Sequence, residues 1–242
     1  MIHLERKTGY AILQLDRPDS YNIINSQMMR ELNQHLDALE RDRSVKVLIL
    51  TGGLQVFAVG VDVKELLGNP GMIDATWHRL YDFTKPVIAA VAGYALGGGC
   101  ELAQMCDIIL AAEGAKFGQP EIKLSIMPGM GGTKMLAGYV GKSTAMRMCL
   151  TGETINAQQA MEYGLVSEVL PVEELLGAAE QLALDIARHS LPALIKIKRE
   201  IKGTPLEFDS ESHAFKSCFD TSDQREGMTA FLEKRIPKII DA

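Results

Sequence analysis

The chain is predicted to adopt an α/β fold with parallel crossovers, followed by a helical C-terminal region. Three short apolar segments, at 45–50, Val87–Val91 and 107–112, have the composition of strands that are covered on both faces. Helical segments separate them, and this alternation is typical of parallel sheets with crossover helices. Beyond residue 140 the pattern is helical, at 145–150, 157–163, 172–188, 192–202 and 206–236.

The N-terminal part is expected to begin with a β-hairpin formed by Ile2–Arg6 and 10–15. A helix is predicted from Ser26 to about Asp42, because apolar residues recur there at three- and four-residue steps. These residues are Met29, Leu32, Leu36 and Leu39.

Two helices are expected between the first and second buried strands. The first is short and lies near 62–67, and the second ends near Thr84. The glycines and the proline at 68–71 break the helical pattern between them.

Composition excludes several classes of protein. The 242 residues carry a formal net charge of −6 and no dense Lys/Arg block, so a nucleic-acid partner is not expected. The four cysteines have no paired spacing, which indicates reduced thiols in a cytoplasmic protein: Cys100, Cys106, Cys149 and Cys218. The five histidines are scattered, so no metal site is expected.

The segment 87–112 is long and apolar enough to suggest a membrane span, but its residues argue against one. It contains Glu101 and Asp107, and each acidic charge near a bilayer centre would cost about 2.5–3.5 kcal/mol. Its three consecutive glycines would weaken a continuous helix. Two short strands and a buried helix are therefore expected, and no membrane partner.

Glu101 is the first candidate catalytic residue. A carboxylate in an apolar helix is costly to bury in its ionised form, and such groups cluster at functional sites. A glutamate at the exposed edge of the helix would also explain it. Gly97, Gly98 and Gly99 precede it, and glycines at a helix start let a ligand approach free backbone N–H groups. A tight turn would also need glycines. The dinucleotide fingerprint is absent, because Leu102 stands where its third glycine would be.

Glu121 is the second candidate, in the stretch 117–121, which is predicted to be a turn after a short strand. Alone it is no more than a turn carboxylate. Together with Glu101 it could divide acid and base work on one substrate. The glycine-rich turn at 128–133 precedes another helix and carries a weaker signal of function.

These segments together resemble the crotonase superfamily, and within it the enoyl-CoA hydratases. The matching stretches, in order along nearly the whole chain, are 22–25, 57–64, 85–91, 93–103, 117–121, 223–228 and 231–235. The resemblance implies a spiral of ββα units at 1–188, with the active site and the coenzyme A site. It also implies a helical region at 189–242 that associates subunits into homotrimers or homohexamers.

The resemblance also implies the site residues and their roles. The backbone N–H groups of Val61 and Gly98 would hold the thioester oxygen. Glu101 would deprotonate the water and Glu121 would supply a proton to the α-carbon. Further contacts with the acyl-CoA substrate would come from Ile23, Ile24, Asp62, Val63, Lys64, Gly97 and Lys234. Lys234 could equally be a solvated helix lysine. Coenzyme A would be part of the substrate, and no separate cofactor is implied.

Two departures from the family pattern concern the acyl pocket. Val59 and Val61 replace smaller residues, which would narrow the pocket but leave the backbone donor in place, and the segment 66–84 is shorter than in many relatives. An enoyl-CoA isomerase or another acyl-CoA reaction is the nearest alternative, but the presence of both glutamates favours hydration. A non-catalytic or RNA-associated role, and an α/β binding module without chemistry, are the alternatives of a different class.

Overall fold

The computed structural model describes residues 1–73, 75–189, 191–202, 216, 219–220 and 222–238. Within them the main sheet contains β1 (Ile2–Arg6), β2 (Gly9–Leu15), β3 (Val45–Thr51), β4 (Val87–Val91), β6 (Ile108–Ala112) and β9 (Glu168–Leu170). The strands lie in the order β1-β2-β3-β4-β6-β9. The β1/β2 hairpin is antiparallel and every later pair is parallel, which confirms the predicted α/β class with crossovers.

A second, smaller sheet contains β5 (Tyr94–Leu96), β7 (Lys116–Gly118) and β8 (Thr154–Asn156), in the order β5-β7-β8. β5 and β7 run parallel with Leu96 opposite Gly118, whereas β7 and β8 are antiparallel. The residues that follow β5 and β7 therefore leave the sheet side by side. This arrangement brings two distant parts of the sequence to one place.

The helices follow the strands in the expected order. They are α1 (Ser26–Arg41), α2 (Val63–Gly68), α3 (Gly98–Met105), α4 (Gly132–Thr151), α5 (Ala157–Glu162), α6 (Val172–Ala187), α7 (Leu191–Lys202) and α8 (Ser222–Leu232). Asn25 caps α1, because its side chain accepts a hydrogen bond from Met28 N at 2.9 Å. Gly141 has φ +75° and interrupts the helical backbone of α4.

Both faces of the main sheet are buried. One face packs against α6, through alternate strand residues such as Ile12, Ile49 and Ile88 and through Leu175 and Ala179 of the helix. The opposite face belongs to the larger core, which also contains the apolar side of α1 and all of the apolar residues of α3. Burial on both faces explains the nearly continuous apolar composition of β3, β4 and β6.

The structure differs from the sequence predictions mainly between residues 70 and 84. One helix was expected there, but Pro70–Met72 and Ala75–His78 form short 3-10 helices followed by turns, so this prediction was wrong. α4 begins at Gly132, thirteen residues before the helix predicted at 145–150. In the tail, α7 begins one residue before the predicted range 192–202 and α8 lies inside 206–236, whereas 203–215 lies outside the described residues. The domain division at 188/189 stays a prediction.

No helix among the described residues is long and apolar enough to cross a bilayer. The segment 87–112 instead forms β4, β5, α3 and β6.

Candidate active site

A cavity of about 230 Å³ lies where four parts of the chain meet. These parts are the loop before α2, the start of α3, the turn after β7 and the end of α8. Its lining residues are Val59, Gly60, Val61, Val63, Leu66, Ile73, Gly97, Gly98, Glu101, Pro120, Glu121, Lys123, Leu124, Ile126, Gly129 and Phe231. Both predicted catalytic glutamates and both predicted backbone donors are among them.

The small sheet explains why the two glutamates meet. Gly97 follows β5 and Gln119 follows β7, and Gly97 N donates to Gly118 O at 2.9 Å. Glu101 then comes within the first turn of α3, and Glu121 within the 3-10 helix Pro120–Leu124. Two carboxylates twenty positions apart in the sequence are thus placed around one cavity.

Backbone pairing sets the direction of the Val61 N–H. Ile24 forms a parallel bridge with Val61, in which Ile24 N donates to Gly60 O and Asp62 N donates to Ile24 O, both at 2.8 Å. In such a bridge the N–H of the central residue points to the opposite side, which here faces α3 and the cavity.

Gly98 supplies the second donor of the pair. It is the first residue of α3, so its N–H has no acceptor within the helix. A Cβ at Gly98 would lie 2.7 Å from Val61 Cγ2 and 3.5 Å from Val61 N. The two backbones therefore approach closely, and their N–H groups can share one negatively charged oxygen.

At the other two positions of the triplet, Gly97 and Gly99, a side chain would also collide with neighbouring atoms. Gly99 packs directly on the preceding loop, since a Cβ there would lie 2.1 Å from Ala58 O. Gly97 has φ +51°, and a Cβ there would lie 2.8 Å from Glu121 Oε1. The first of these contacts brings α3 against the loop that carries Val61, and the second lets the carboxylate of Glu121 approach the backbone.

Glu101 is buried, with 2% of its surface exposed, and its orientation is fixed by backbone donors. Its Oε1 accepts hydrogen bonds from Met130 N at 2.7 Å and from Gly132 N at 2.9 Å. Hydrogen bonds to an ionised acceptor are about twice as strong as neutral ones. A Cβ at Gly132 would lie 2.7 Å from the same oxygen. The glycine-rich turn at 128–133 therefore holds Glu101, a function that its sequence signalled only weakly.

Glu121 is half-buried, and a side-chain amide lies beside its carboxylate. The Gln119 amide is oriented so that its nitrogen faces acceptors and its oxygen faces a donor. The nitrogen then donates to the two carboxylate oxygens of Glu121 at 3.3 Å, and the oxygen accepts from Gln104 Nε2 at 3.1 Å. Gln104 and Gln119 are both buried. Sequence reasoning missed these two glutamines, and the pair is visible only once α3 and β7 are placed side by side.

The remaining walls of the cavity are aliphatic or aromatic. They are formed by Val63, Leu66, Ile73, Leu124, Ile126 and Phe231. Phe231 stands in the last turn of α8, so the C-terminal region reaches the cavity. Sequence reasoning did not assign a site role to Phe231, although the stretch 231–235 is part of the family resemblance.

Two of the seven predicted binding residues line the cavity, and Ile24 is paired with a third lining residue. Val63 and Gly97 line the cavity, and Ile24 supports it through its pairing with Val61. Asp62 caps α2 by accepting from Lys64 N at 3.0 Å.

Five of the seven predicted contacts are not among the described residues that line the cavity: Ile23, Ile24, Asp62, Lys64 and Lys234. Lys64 and Lys234 are both exposed, and Lys234 lies in the turn after α8 with φ +54°.

Residues 5–241 match the family described as enoyl-CoA hydratase/isomerase. The chain belongs to this family. It is 43% identical to a probable enoyl-CoA hydratase of Mycobacterium tuberculosis over 98% of this chain and 96% of that protein. It is 42% identical to the 2,3-dehydroadipyl-CoA hydratase of Escherichia coli K12, over 97% and 96%. The crystal structure of a carnitinyl-CoA hydratase from Mycobacterium avium superposes with a TM-score of 0.90 at 31% identity, covering 100% of this chain and 98% of that one.

Membership of the family confirms the predicted relationship, and the structural likeness confirms the predicted crotonase-like fold. The family contains both hydratases and isomerases. The residues around the cavity therefore decide which reaction is proposed.

Proposed function

We propose that the protein is an enoyl-CoA hydratase, which adds water syn across the double bond of trans-2-enoyl-CoA thioesters to give 3-hydroxyacyl-CoA. One observation carries this proposal. Glu101 and Glu121 line the same cavity as Val61 and Gly98, whose backbones approach each other closely. Hydration needs a base for the water, an acid for the α-carbon and a stabiliser of negative charge on the thioester oxygen, and this site contains all three.

The thioester carbonyl would accept hydrogen bonds from Val61 N and Gly98 N. Glu101 takes a proton from a water molecule, whose oxygen then forms a bond with C3 of the enoyl group. The π electrons of the C2=C3 bond move toward the thioester, and negative charge develops on its oxygen. Loss of one such backbone donor typically costs about 10²–10³ in kcat, so this contribution is large.

Glu121 would complete the reaction by giving a proton to C2. The electron pair of the enolate forms the new C–H bond, and the carbonyl is restored. Glu121 then holds a negative charge, which the donors of the Gln119 amide stabilise at 3.3 Å. Glu101 has gained a proton and Glu121 has lost one, so exchange with water returns both to their starting states.

The same groups explain why no separate cofactor is proposed. Hydration neither oxidises nor reduces the substrate, and backbone donors supply the charge stabilisation that a metal ion gives in other enzymes. Coenzyme A enters as part of the substrate. Its contacts are proposed at Ile23, Asp62, Lys64 and Lys234.

The experiment that tests the function is steady-state turnover on 2-enoyl-CoA and 3-enoyl-CoA thioesters, with product identification by mass spectrometry. A hydratase converts the 2-enoyl thioester to a product heavier by one water, at a rate that a metal chelator leaves unchanged. A double-bond shift without uptake of water would make the protein an isomerase. No turnover of either substrate would contradict both reactions.

The substrate, the assembly and the cellular location are also proposals. The cavity of about 230 Å³ is smaller than the usual 300–1,000 Å³ of ligand pockets and has aliphatic walls, which favours short acyl chains. Homotrimers or homohexamers are proposed from the helical tail. A cytoplasmic location is consistent with Cys100, Cys106 and Cys149, which are free thiols.

A further inference from the structure

One buried amide faces three backbone carbonyls in the loop that precedes Val61. Asn22 is 1% exposed, and its Nδ2 donates to Gly52 O at 3.1 Å, Val56 O at 3.0 Å and Phe57 O at 3.1 Å. Its Oδ1 accepts from Arg17 N at 2.8 Å. All polar atoms of this side chain are thus used within the protein.

The three carbonyls could not converge without such a donor. The chain turns back so tightly that a Cβ at Gly52 would lie 2.2 Å from Val56 O and 2.4 Å from Phe57 O. Carbonyl oxygens that point to one place repel each other, and a buried carbonyl without a donor is destabilising. The Asn22 amide places its two N–H groups between them and makes the tight turn possible.

The backbone at this position also restricts which residue can serve. Asn22 has φ +54°, a left-handed conformation that glycine, asparagine and aspartate tolerate best. Of these three, only asparagine brings N–H donors on a short side chain. Both the backbone and the contacts therefore select asparagine.

The same short segment holds the loop at two places, one on each side of Ala58. Asn22 binds the carbonyls of Val56 and Phe57, and Ile24 pairs with the backbone of Gly60 and Asp62. Val61 lies between the two residues that pair with Ile24, so its N–H points away from Ile24. The position of this donor depends on how the segment 22–24 holds the loop.

We infer that Asn22 is a positioning residue of the oxyanion hole, which holds the Val61 N–H in place without touching the substrate. This inference rests on the proposed function, in which that N–H binds the thioester oxygen. It predicts a specific defect: Asn22 variants bind the acyl-CoA but polarise its carbonyl less. A purely structural role would instead lower stability and leave carbonyl polarisation intact.

Two substitutions remove the donors while tolerating the left-handed backbone. Asn22→Asp keeps the shape and the acceptor for Arg17 N but turns an oxygen toward the three carbonyls. Asn22→Gly removes the side chain without adding charge, and it is the variant to measure if the Asp variant does not fold. Tyr21→Gly is the matched control, since Tyr21 is the neighbouring left-handed residue, with φ +51° and an exposed side chain.

The readouts are kcat, KM, the thermal midpoint and the absorption of a bound conjugated dienoyl-CoA. This chromophore absorbs at longer wavelength when its carbonyl oxygen accepts strong hydrogen bonds. Deleting one donor costs about 10²–10³ in kcat, so displacing one is expected to lower kcat about 10-fold or more. The red shift should shrink in both Asn22 variants, KM should change less than kcat, and Tyr21→Gly should behave like the wild type.

The outcomes separate the two claims. A wild-type enzyme that neither hydrates enoyl-CoA nor shifts the absorption of the bound dienoyl-CoA would overturn the proposed function. If the wild type hydrates enoyl-CoA and shifts the absorption, but folded Asn22 variants keep the full red shift and kcat, only the positioning role is overturned. A lower thermal midpoint with an unchanged red shift would also overturn it.

Discussion

At the scale of single residues, the two glutamates are fixed by different kinds of contact. Glu101 is buried and its Oε1 is held by the backbone N–H groups of Met130 and Gly132. Glu121 lies against Gly97 and is held by the amide of Gln119. A rigid backbone clamp suits a base that must orient a water molecule. A side-chain amide can turn and follow the change in charge of an acid that loses its proton.

We predict that Glu101→Gln and Glu121→Gln each lower kcat by about 10²–10⁴-fold, the usual contribution of a general acid or base. Glutamine keeps the size and one acceptor oxygen, so the fold should not change. The double variant should lose much less than the product of the two single effects, because the groups act together. Near-full hydratase activity of Glu121→Gln, measured by steady-state turnover, would contradict the two-carboxylate assignment.

Gly132 offers a test of the clamp that does not alter either glutamate. A Cβ there would lie 2.7 Å from Glu101 Oε1 and equally close to the side-chain amide of Gln119. Glu101 cannot yield without lengthening its hydrogen bonds to Met130 N and Gly132 N. Gly132→Ala is therefore expected to lower kcat by about 10-fold or more, since misplacement by about 1 Å can cost 10² in rate.

Gly138 is the matched control within the same helix. A Cβ at Gly138 would meet no atom within 4 Å, so Gly138→Ala should leave kcat unchanged. It should also stabilise the helix by about 0.5–1 kcal/mol, measurable by chemical denaturation. Equal kcat values for the two alanine variants would show that the contact at Gly132 does not position Glu101.

At the scale of elements, the sequence predicted best where burial gives a long, clear pattern. The apolar strands at β3, β4 and β6 are covered on both faces, and α3 is the buried helix that was predicted within 87–112. Between residues 70 and 84 the predicted helix was wrong, although Ile73, Trp77 and Leu80 are all buried. Burial of these side chains is achieved by short 3-10 helices and turns, which an apolar pattern does not separate from an α-helix.

Contacts between distant segments could not be predicted in the same way. β5, β8 and β9 have three residues each, too few for a periodic pattern, and their pairing partners lie far along the chain. The site shows the same limit. Glu101 and Glu121 were found because each stands in a recognisable motif, whereas the Gln104–Gln119 contact depends on the pairing of β5 with β7.

α7 docks on the core through buried lysines. Lys198 Nζ lies 2.7 Å from Asp107 Oδ2 and donates to Lys85 O at 2.8 Å. Asp107 Oδ2 also accepts from Val87 N at 2.8 Å. Lys202, one turn later, donates to Tyr81 O and lies 3.8 Å from Asp107 Oδ1. Two cations thus share one carboxylate at the start of β4 and β6.

Lys202 should make stability depend on pH. Burial, followed by repulsion from Lys198, lowers the pKa of Lys202 from 10.5 to about 8, although Asp107 opposes the shift. Between about pH 8 and pH 10.5 the unfolded chain holds a proton that the folded protein has released, so stability rises with pH. Below pH 8 both states are protonated and this gain is absent.

We therefore predict that Lys202→Met removes a rise in stability between pH 8 and pH 10.5 that the wild type shows. The difference in the free energy of unfolding between the two proteins, from denaturant titrations across this range, isolates Lys202 from other titrating groups. Lys196→Met, at an exposed position of the same helix, should follow the wild type. A pH-independent difference between wild type and Lys202→Met would contradict the lowered pKa.

At the scale of the whole molecule, the C-terminal helices are connected to the catalytic part from two directions. α7 reaches the core through Lys198 and Asp107, and α8 brings Phe231 to the wall of the cavity. Large apolar side chains stay exposed in this region. They include Ile197 and Ile201 on α7, and Ile236 just after the end of α8. An exposed face of this kind on a helix already docked to the core favours association with another subunit.

The last prediction concerns assembly through this tail. Ile197 and Ile201 are four residues apart on α7 and are 56% and 81% exposed. Replacing both by Glu should change the stability of an isolated subunit by no more than about 0.5 kcal/mol per site, as is usual at exposed positions. In a trimer or hexamer assembled through α7, the two charges would be buried at the interface, and the subunits should separate. Light scattering after size-exclusion chromatography gives the mass.

Leu150→Glu is the control, since Leu150 is similarly exposed but belongs to α4. A wild-type protein that is a monomer at micromolar concentration would contradict the assembly. Dissociation by Leu150→Glu alone would move the interface from the tail to α4.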